Sequence, residues 1–159
     1  MRTGIGWDSH RLEAGRPLIL GGVRLDHPRA LGLAGHSDAD VLTHAVIDAL
    51  LGAGGLDDIG THFPDTDERW RGADSLALLR HVAGLLTAGG LEIEHIDATL
   101  VMERPKAGPR KHEMRDALAA ALGVAHDRVN VKATTGEGIG FVGREEGVAA
   151  LAVATLRGT

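Results

Sequence analysis

The sequence predicts an α+β fold: a mixed β-sheet with helices packed on one face, built by a single domain over residues 1–159. Three observations lead there. Stretches whose apolar residues recur every second position alternate with stretches whose apolar residues recur every three to four, the periods of strand and helix. Glycine and proline are scattered as punctuation, with no linker, repeat or low-complexity stretch. The 159 residues are the size of one ordinary domain and long enough to bury about 70% of the unfolded chain's surface without staples.

The elements follow in order. Thr3, Ile5 and Trp7 alternate with Gly4, Gly6, Asp8 and His10, which predicts a strand over residues 2–10. Gly21-Gly22 separates Leu18, Ile19 and Leu20 from Val23, Arg24 and Leu25, a two-residue hairpin signal. A helix is predicted over residues 38–51, with Leu42, Ala45, Val46, Ala49 and Leu50 as its buried stripe. Ser37 and Asp40 form a capping-box pattern at its start, and Gly52 is its stop. Residues 53–73 have no long periodic segment and carry the polar loops Asp57-Asp58-Ile59-Gly60 and Phe63-Pro64-Asp65-Thr66-Asp67. A second helix over about residues 75–87 buries Leu76, Leu79, Val82, Ala83 and Leu86 and stops at Gly89-Gly90. A long strand over residues 91–103 is followed by a third helix between Pro109 and Gly123. Val129, Val131 and Ala133 make a short strand that runs into the turn Gly136-Glu137-Gly138-Ile139-Gly140, and residues 148–156 close the chain as a strand.

Composition removes several function classes. The chain has no cysteine, which excludes a disulfide scaffold, a thiolate zinc site and a cysteine nucleophile. Seventeen basic against 22 acidic side chains give a formal charge of −5, which argues against a nucleic-acid partner. No apolar run approaches the ~20 residues of a membrane helix, and the N-terminus lacks a signal-like apolar stretch. A cytoplasmic protein with no membrane partner is the expectation. There is no P-loop, no Gly-x-Gly-x-x-Gly entering a helix and no Gly-x-Ser-x-Gly elbow.

Four constellations could carry chemistry. Asp8 and His10 lie two apart on a strand, so their side chains share a face. Ser37, Asp40, His44 and Asp48 follow steps of 3, 4 and 4 along the predicted helix, a polar stripe nearly opposite the apolar one. Left alone, that stripe reads as solvated surface. Packed against the strand, it would complete an Asp–His–His set of nitrogen and oxygen ligands suited to zinc, manganese or another divalent ion. Lys132-Ala133-Thr134-Thr135-Gly136-Glu137-Gly138 ends a strand in hydroxyls and backbone N–H groups that can cradle phosphate. Glu137 then needs a hard cation between itself and the phosphate; the same residues also read as a β-turn with a surface glutamate. Met102, Glu103, Arg104, Pro105, Lys106, Ala107 and Gly108 form either a rigid pocket for a flat polar ring or a proline-rich connection. His27, His62, His81, His95, His112 and His126 show no paired spacing and read as surface or turn residues.

Several motifs occur together in order: Gly6-Trp7-Asp8-Ser9-His10, Gly21-Gly22-Val23, His36-Ser37-Asp38-Ala39-Asp40 with His44, Asp58-Ile59-Gly60, Phe63-Pro64-Asp65-Thr66-Asp67, Arg104-Pro105-Lys106 and Asn130-Val131-Lys132-Ala133-Thr134-Thr135. Over essentially its whole length the chain resembles the 2-C-methyl-D-erythritol 2,4-cyclodiphosphate synthase family of the non-mevalonate isoprenoid pathway. The resemblance implies a homotrimer of two-layer sandwich subunits with active sites at subunit boundaries. It implies that Asp8, His10 and His44 hold Zn2+ or another divalent ion, and that Glu137 holds Mg2+ or Mn2+ with the substrate phosphates. Residues 102–108 with Thr134, Thr135 and Gly136 would receive the cytidine diphosphate part. Asp58, Ile59, Gly60 and the run Phe63, Pro64, Asp65, Thr66 and Asp67 would hold the methylerythritol phosphate part, beside Ser9 and Ser37. His36 and Thr135 would stabilise the transition state, and Phe141 and Arg144 would line a trimer cavity able to take an isoprenoid diphosphate.

The implied activity is a lyase reaction: the 2-phosphate of a nucleotide diphosphate substrate attacks its own β-phosphorus, and CMP departs. The residues themselves also fit a metal-dependent phosphohydrolase or a non-catalytic trimer that binds an isoprenoid diphosphate. Gly136 and Gly138 stand where the family commonly carries side chains, which removes a hydroxyl contact from the Glu137 turn. Trp7 stands in place of a commoner phenylalanine and reads as a core or near-core change.

Overall fold

The structure, a computed structural model, describes residues 1–159. Its strands are β1 (Arg2–Ala14), β2 (Leu18–Leu20), β3 (Val23–Leu25), β4 (Leu31–Leu33), β5 (Leu91–Val101), β6 (Val129–Thr134) and β7 (Gly147–Gly158). Its helices are α1 (Val41–Gly54), α2 (Ile59–His62), α3 (Ser75–Ala88), α4 (Lys111–Leu122) and α5 (Gly140–Gly143). Five strands form one sheet in the order β4-β1-β7-β5-β6, and β2 pairs with β3 as a separate hairpin. β5 and β6 are parallel, with α4 in the crossover, and the remaining pairs are antiparallel. The expected α+β arrangement, a mixed sheet with helices on one face, is the one that forms. A core of 38 buried residues lies between that face and α1, α3 and α4. No helix is long and apolar enough to cross a membrane.

The side of β1 that faces the core is its glycine side. A Cβ at Gly4 would stand 2.2 Å from the carbonyl oxygen of Ala49, and one at Gly6 would stand 1.9 Å from that of Ala45. Glycine is required there because α1 rests directly on the strand backbone. This corrects the reading of Trp7 as near-core: its ring points to the helix-free face and is 53% exposed. Ile5, Leu151 and Val153 stand beside it, with Ile5 opposite Val153 and Trp7 opposite Leu151 in the β1–β7 register.

α1 also differs from expectation. It begins at Val41 because Ala39 sits at φ 58, outside helical space. Asp40, not Ser37, is the N-cap and accepts the Thr43 N–H at 3.0 Å. The helix runs past Gly52 to Gly54 and is closed by Gly55 at φ 72. Eleven of its 14 residues are buried, so the expected solvated stripe is not one. The sheet covers one side of α1, while α2, α3 and the β2–β3 hairpin cover others. Asp40 is fully buried, and its carboxylate also receives Gly21 N and Gly22 N at 2.8 Å, pinning the hairpin turn to the helix start. Burial pushes its carboxyl upward, while the hydrogen bonds from Thr43, Gly22 and Gly21 pull against that shift.

β1 runs four residues past its expected end at His10, to Ala14, where it pairs with β4; the other elements lie close to their expected limits. The strand predicted to residue 103 ends at Val101. The Asp57 to Gly60 loop contains α2, whose N-cap is Asp58. β4 and α5 are too short to show a period. His27 is a further correction: it is buried, and its Nδ1 accepts the Arg29 N–H at 3.0 Å.

Candidate functional site

Asp8 and His10 project from β1 toward the helices, and His44 stands in the first turn of α1 above them. Asp8 Oδ2 lies 2.8 Å from His10 Nε2 and 3.1 Å from His44 Nδ1. The two imidazole nitrogens are 3.3 Å apart. One ligand atom from each of the three falls within 4.8 Å of the others, and no other trio of ligand groups in the chain does so.

Their chemistry fits a divalent cation. His10 Nδ1 is 2.8 Å from the carbonyl oxygen of Ala34, which only accepts, so that nitrogen carries the hydrogen. In the neutral ring the Nε2 lone pair then faces the cluster. A carboxylate and two imidazole nitrogens with no sulfur suit zinc or another divalent ion with an open coordination position. Burial alone would raise the Asp8 carboxyl, but its contacts with the imidazoles, His10 first and then His44, hold it at about 2. Burial works to lower His10, and the Asp8 hydrogen bond and charge outweigh it, raising the imidazole above its ordinary value.

The cluster opens into a cavity of about 330 Å3. Asp8, His10, His36, Ser37, His44, Ile59, Gly60, Phe63, Pro64 and Asp65 line it, all of them expected, together with Trp70 and Leu78, which were not. Trp70 stacks edge-on against Phe63 at 5.1 Å, a contact no spacing rule exposes. The loop is zipped to the 36–38 segment: His36 Nε2 donates to Asp67 O at 2.9 Å, Gly72 N to His36 O at 2.8 Å, and Asp38 N to Ala73 O at 3.0 Å. Asp58, Thr66 and Asp67 do not line the cavity. Asp58 turns back to cap α2, and Asp67 caps the next turn and pairs with Arg69 at 2.7 Å.

A second cavity, about 420 Å3, is lined by Met102, Lys106, Ala107, Gly108, Pro109, Ala133, Thr134 and Thr135. Glu103 turns away to accept the Gly136 N–H, and Arg104 pairs with Glu145 at 2.7 Å; neither these two nor Pro105 line it. Glu137 is exposed at φ 54, its N–H donating to Thr135 Oγ1 at 3.1 Å, and it belongs to no cluster of ligands. Ser9 and Phe141 line a third cavity of about 210 Å3, while Arg144 pairs with Glu146 at 2.9 Å. The largest cavity, about 460 Å3, opens at the start of β5 near Leu91 and Arg128 and holds no metal-ligating trio.

The sheet register relates the first two cavities. Asp8, Ala150, Leu100 and Ala133 form one row across β1, β7, β5 and β6, and the next row joins Ser9 to Thr134. Both cavities therefore sit at the same end of the sheet, separated by three inter-strand steps, roughly 14 Å.

Ser75 escaped sequence reasoning altogether. It lies fully buried at the first position of α3, and its Oγ is 2.8 Å from His44 Nε2. A serine 31 residues from its partner leaves no pattern.

Comparison with known proteins agrees over the whole chain. The model of the YgbB family matches residues 1–157. A 2-C-methyl-D-erythritol 2,4-cyclodiphosphate synthase of Salinibacter ruber is 60% identical over 157 residues, which is 99% of each chain. The bifunctional IspDF from Campylobacter jejuni superposes with a TM-score of 0.94 at 42% identity, over 99% of this chain and 42% of that longer one. A 2C-methyl-D-erythritol-2,4-cyclodiphosphate synthase in its CDP-bound form superposes at 0.88 and 42% identity, over 98% of this chain and 100% of that one.

Proposed function

From the premise that the chain belongs to the YgbB family, whose relatives are named 2-C-methyl-D-erythritol 2,4-cyclodiphosphate synthase, we propose that this chain's own residues carry that reaction as a two-cation phosphorus–oxygen lyase. The reaction converts 4-diphosphocytidyl-2-C-methyl-D-erythritol 2-phosphate to 2-C-methyl-D-erythritol 2,4-cyclodiphosphate and CMP. A 2-phosphate oxygen bonds to the β-phosphorus, and the bond from that phosphorus to the CMP oxygen breaks. The nucleophile is already an oxyanion, so no strong general base is needed. The protein has to fold the substrate back on itself and neutralise charge.

The single observation that carries this reading is the convergence of Asp8, His10 and His44 within 4.8 Å in the lining of one cavity. Those three residues would hold zinc or another divalent ion, and Glu137 would hold magnesium or manganese. When bound, the ions supply positive charge to the phosphate oxygens. Ile59, Gly60, Phe63, Pro64 and Asp65 would hold the methylerythritol phosphate end, with Asp58, Thr66 and Asp67 shaping the surrounding loops. Met102, Lys106, Ala107 and Gly108 with Thr134 and Thr135 would hold the cytidine diphosphate end, with Glu103, Arg104 and Pro105 shaping the loop around it. His36 and Thr135 would stabilise charge that grows in the transition state, Thr135 through its hydroxyl hydrogen. Orienting the two ends contributes roughly 7–11 kcal/mol by making the attack an ordered intramolecular step.

A homotrimer completes the site in this reading. The exposed apolar face of Ile5, Trp7, Leu151 and Val153 supports it, since such a face on one subunit invites burial against copies of itself. Phe141 and Arg144 would line the trimer cavity and take an isoprenoid diphosphate. The deciding experiment is phosphorus NMR of the purified, zinc- and magnesium-supplemented protein with the nucleotide substrate. A cyclic diphosphate and CMP are expected. Free phosphate would instead make it a hydrolase, and an unchanged spectrum a binding protein.

A further inference from the structure

We infer that Ser75 and Asp38 are positioning residues that fix the His44 imidazole with its Nδ1 lone pair turned toward Asp8 and His10, so that the cation site is preformed. The inference rests on the cation reading above. Asp38 Oδ1 is hydrogen-bonded to Ser75 Oγ, and a carboxylate can only accept. The single hydroxyl hydrogen of Ser75 is therefore committed to Asp38. What Ser75 shows to His44, 2.8 Å away, is a lone pair, and Nε2 must bring the hydrogen. A neutral ring with its hydrogen on Nε2 has its lone pair on Nδ1, the atom 3.1 Å from Asp8 Oδ2 and 3.3 Å from His10 Nε2.

Nothing else around Nε2 undoes this assignment. Ser37 Oγ lies farther off at 3.2 Å; it accepts the Ala39 N–H and keeps a second lone pair that suits a hydrogen on Nε2. Ser75 is fully buried, so water does not stand in for its hydroxyl. Asp38 is itself held by donors on both oxygens: Asp40 N at 3.1 Å on Oδ1 and Ser75 N at 3.0 Å on Oδ2. Its own N–H donates to Ala73 O at 3.0 Å. Through its carboxylate Asp38 thus ties the start of α3 to the residue that caps α1, and through its backbone N–H it holds the end of the loop that walls the cavity. Ordering that loop and orienting the metal ligand become one event.

Partners of a ligating histidine typically change metal affinity 10–100-fold when removed. The test is calorimetric titration of zinc, against a competing chelator, into metal-free wild type, Ser75→Ala, Asp38→Asn and the double variant. Ser75→Ala is expected to bind zinc 10–100-fold more weakly, with the thermal midpoint of the metal-free protein within a few degrees of wild type and altered visible bands in the cobalt-loaded form. Asp38→Asn is expected to weaken zinc about tenfold. The double variant is expected to bind no more weakly than Ser75→Ala, because Asp38 acts through Ser75. Wild-type zinc affinity in Ser75→Ala, or losses that simply add, would overturn the inference. If Ser75→Ala does not fold, wild-type affinity in Asp38→Asn overturns it as well. Wild-type protein that binds no zinc at all overturns the cation reading on which it stands.

Discussion

Gly6 and the carbonyl of Ala45 are in backbone contact: a Cβ on Gly6 would stand 1.9 Å from that oxygen. Ala45 adjoins His44, and Gly6 is one strand repeat before Asp8. This contact sets the height of α1 above β1, and with it the 3.1 Å between His44 Nδ1 and Asp8 Oδ2. A lift of even one ångström would separate atoms that must share one ion.

Gly6→Ala is therefore expected to damage stability and site together. Backbone cannot yield as a flexible side chain does, so the loss belongs at or above the upper end of the ~1–3 kcal/mol typical of overpacking. Urea unfolding of the metal-free variant measures the first effect and zinc titration the second. Wild-type values for both would show that β1 and α1 do not need this contact.

His44→Ala removes one of the three converging ligands without disturbing the Gly6 contact, so the variant is expected to fold. Zinc content should fall below one tenth of wild type, and turnover by about a thousandfold or more, the scale of losing metal-ion catalysis rather than one hydrogen bond. Metal analysis and phosphorus NMR check the pair of effects. Wild-type turnover with zinc still bound would refute the ligand assignment.

The sequence was legible where a period or a motif repeats over a whole element. α3 follows from its spacing, α4 from the Pro109 and Gly123 that bound it, the Gly21-Gly22 hairpin from its turn and β7 from an apolar run, although β7 extends from Gly147 to Gly158; Asp8 and His10 share a face because strands have a period of two. Its weak points have physical reasons. Trp7 looked internal because apolar residues usually are, yet the glycines on the other side of β1 are what let α1 pack. α1 looked amphipathic, but it is covered on several sides, so Asp40 and His44 are buried. Ser75 and Trp70 reach the site through tertiary contacts that no local pattern encodes.

The pH dependence follows from opposite shifts in Asp8 and His10. Asp8 sits at about 2 against an ordinary 3.8, so its contribution to stability is present above pH 3.8 and is lost as pH falls toward 2. His10 is raised above its ordinary 6.5, so its contribution is complete below 6.5 and is lost as pH rises through the raised value. In metal-free protein the gap in thermal midpoint between wild type and Asp8→Asn is thus expected to be widest between pH 4 and 6.5 and to shrink by pH 8.5. Zinc affinity should run the other way, rising with pH as His10 gives up its proton. A gap of equal size at pH 5.5 and 8.5 would contradict the Asp8–His10 pairing.

The helix-free face supplies the last prediction. Trp7 is 53% exposed and Ile5 68%, and both pair across β1–β7 with the exposed Leu151 and Val153. Large apolar side chains left this open on a sheet center are costly in water and are buried in the proposed trimer. The two halves of the site, roughly 14 Å apart across one sheet, would then meet a neighbour's halves at the subunit boundary. Trp7→Asp places a charge in that interface without touching the core or the Asp8 cluster, because odd positions of β1 face away from α1. The variant is expected to sediment as a monomer, keep its zinc, and lose turnover by about a hundredfold or more because no neighbour completes the site. Sedimentation velocity, metal analysis and phosphorus NMR on one preparation separate the effects. Full turnover by a monomer would show that one chain holds a complete site.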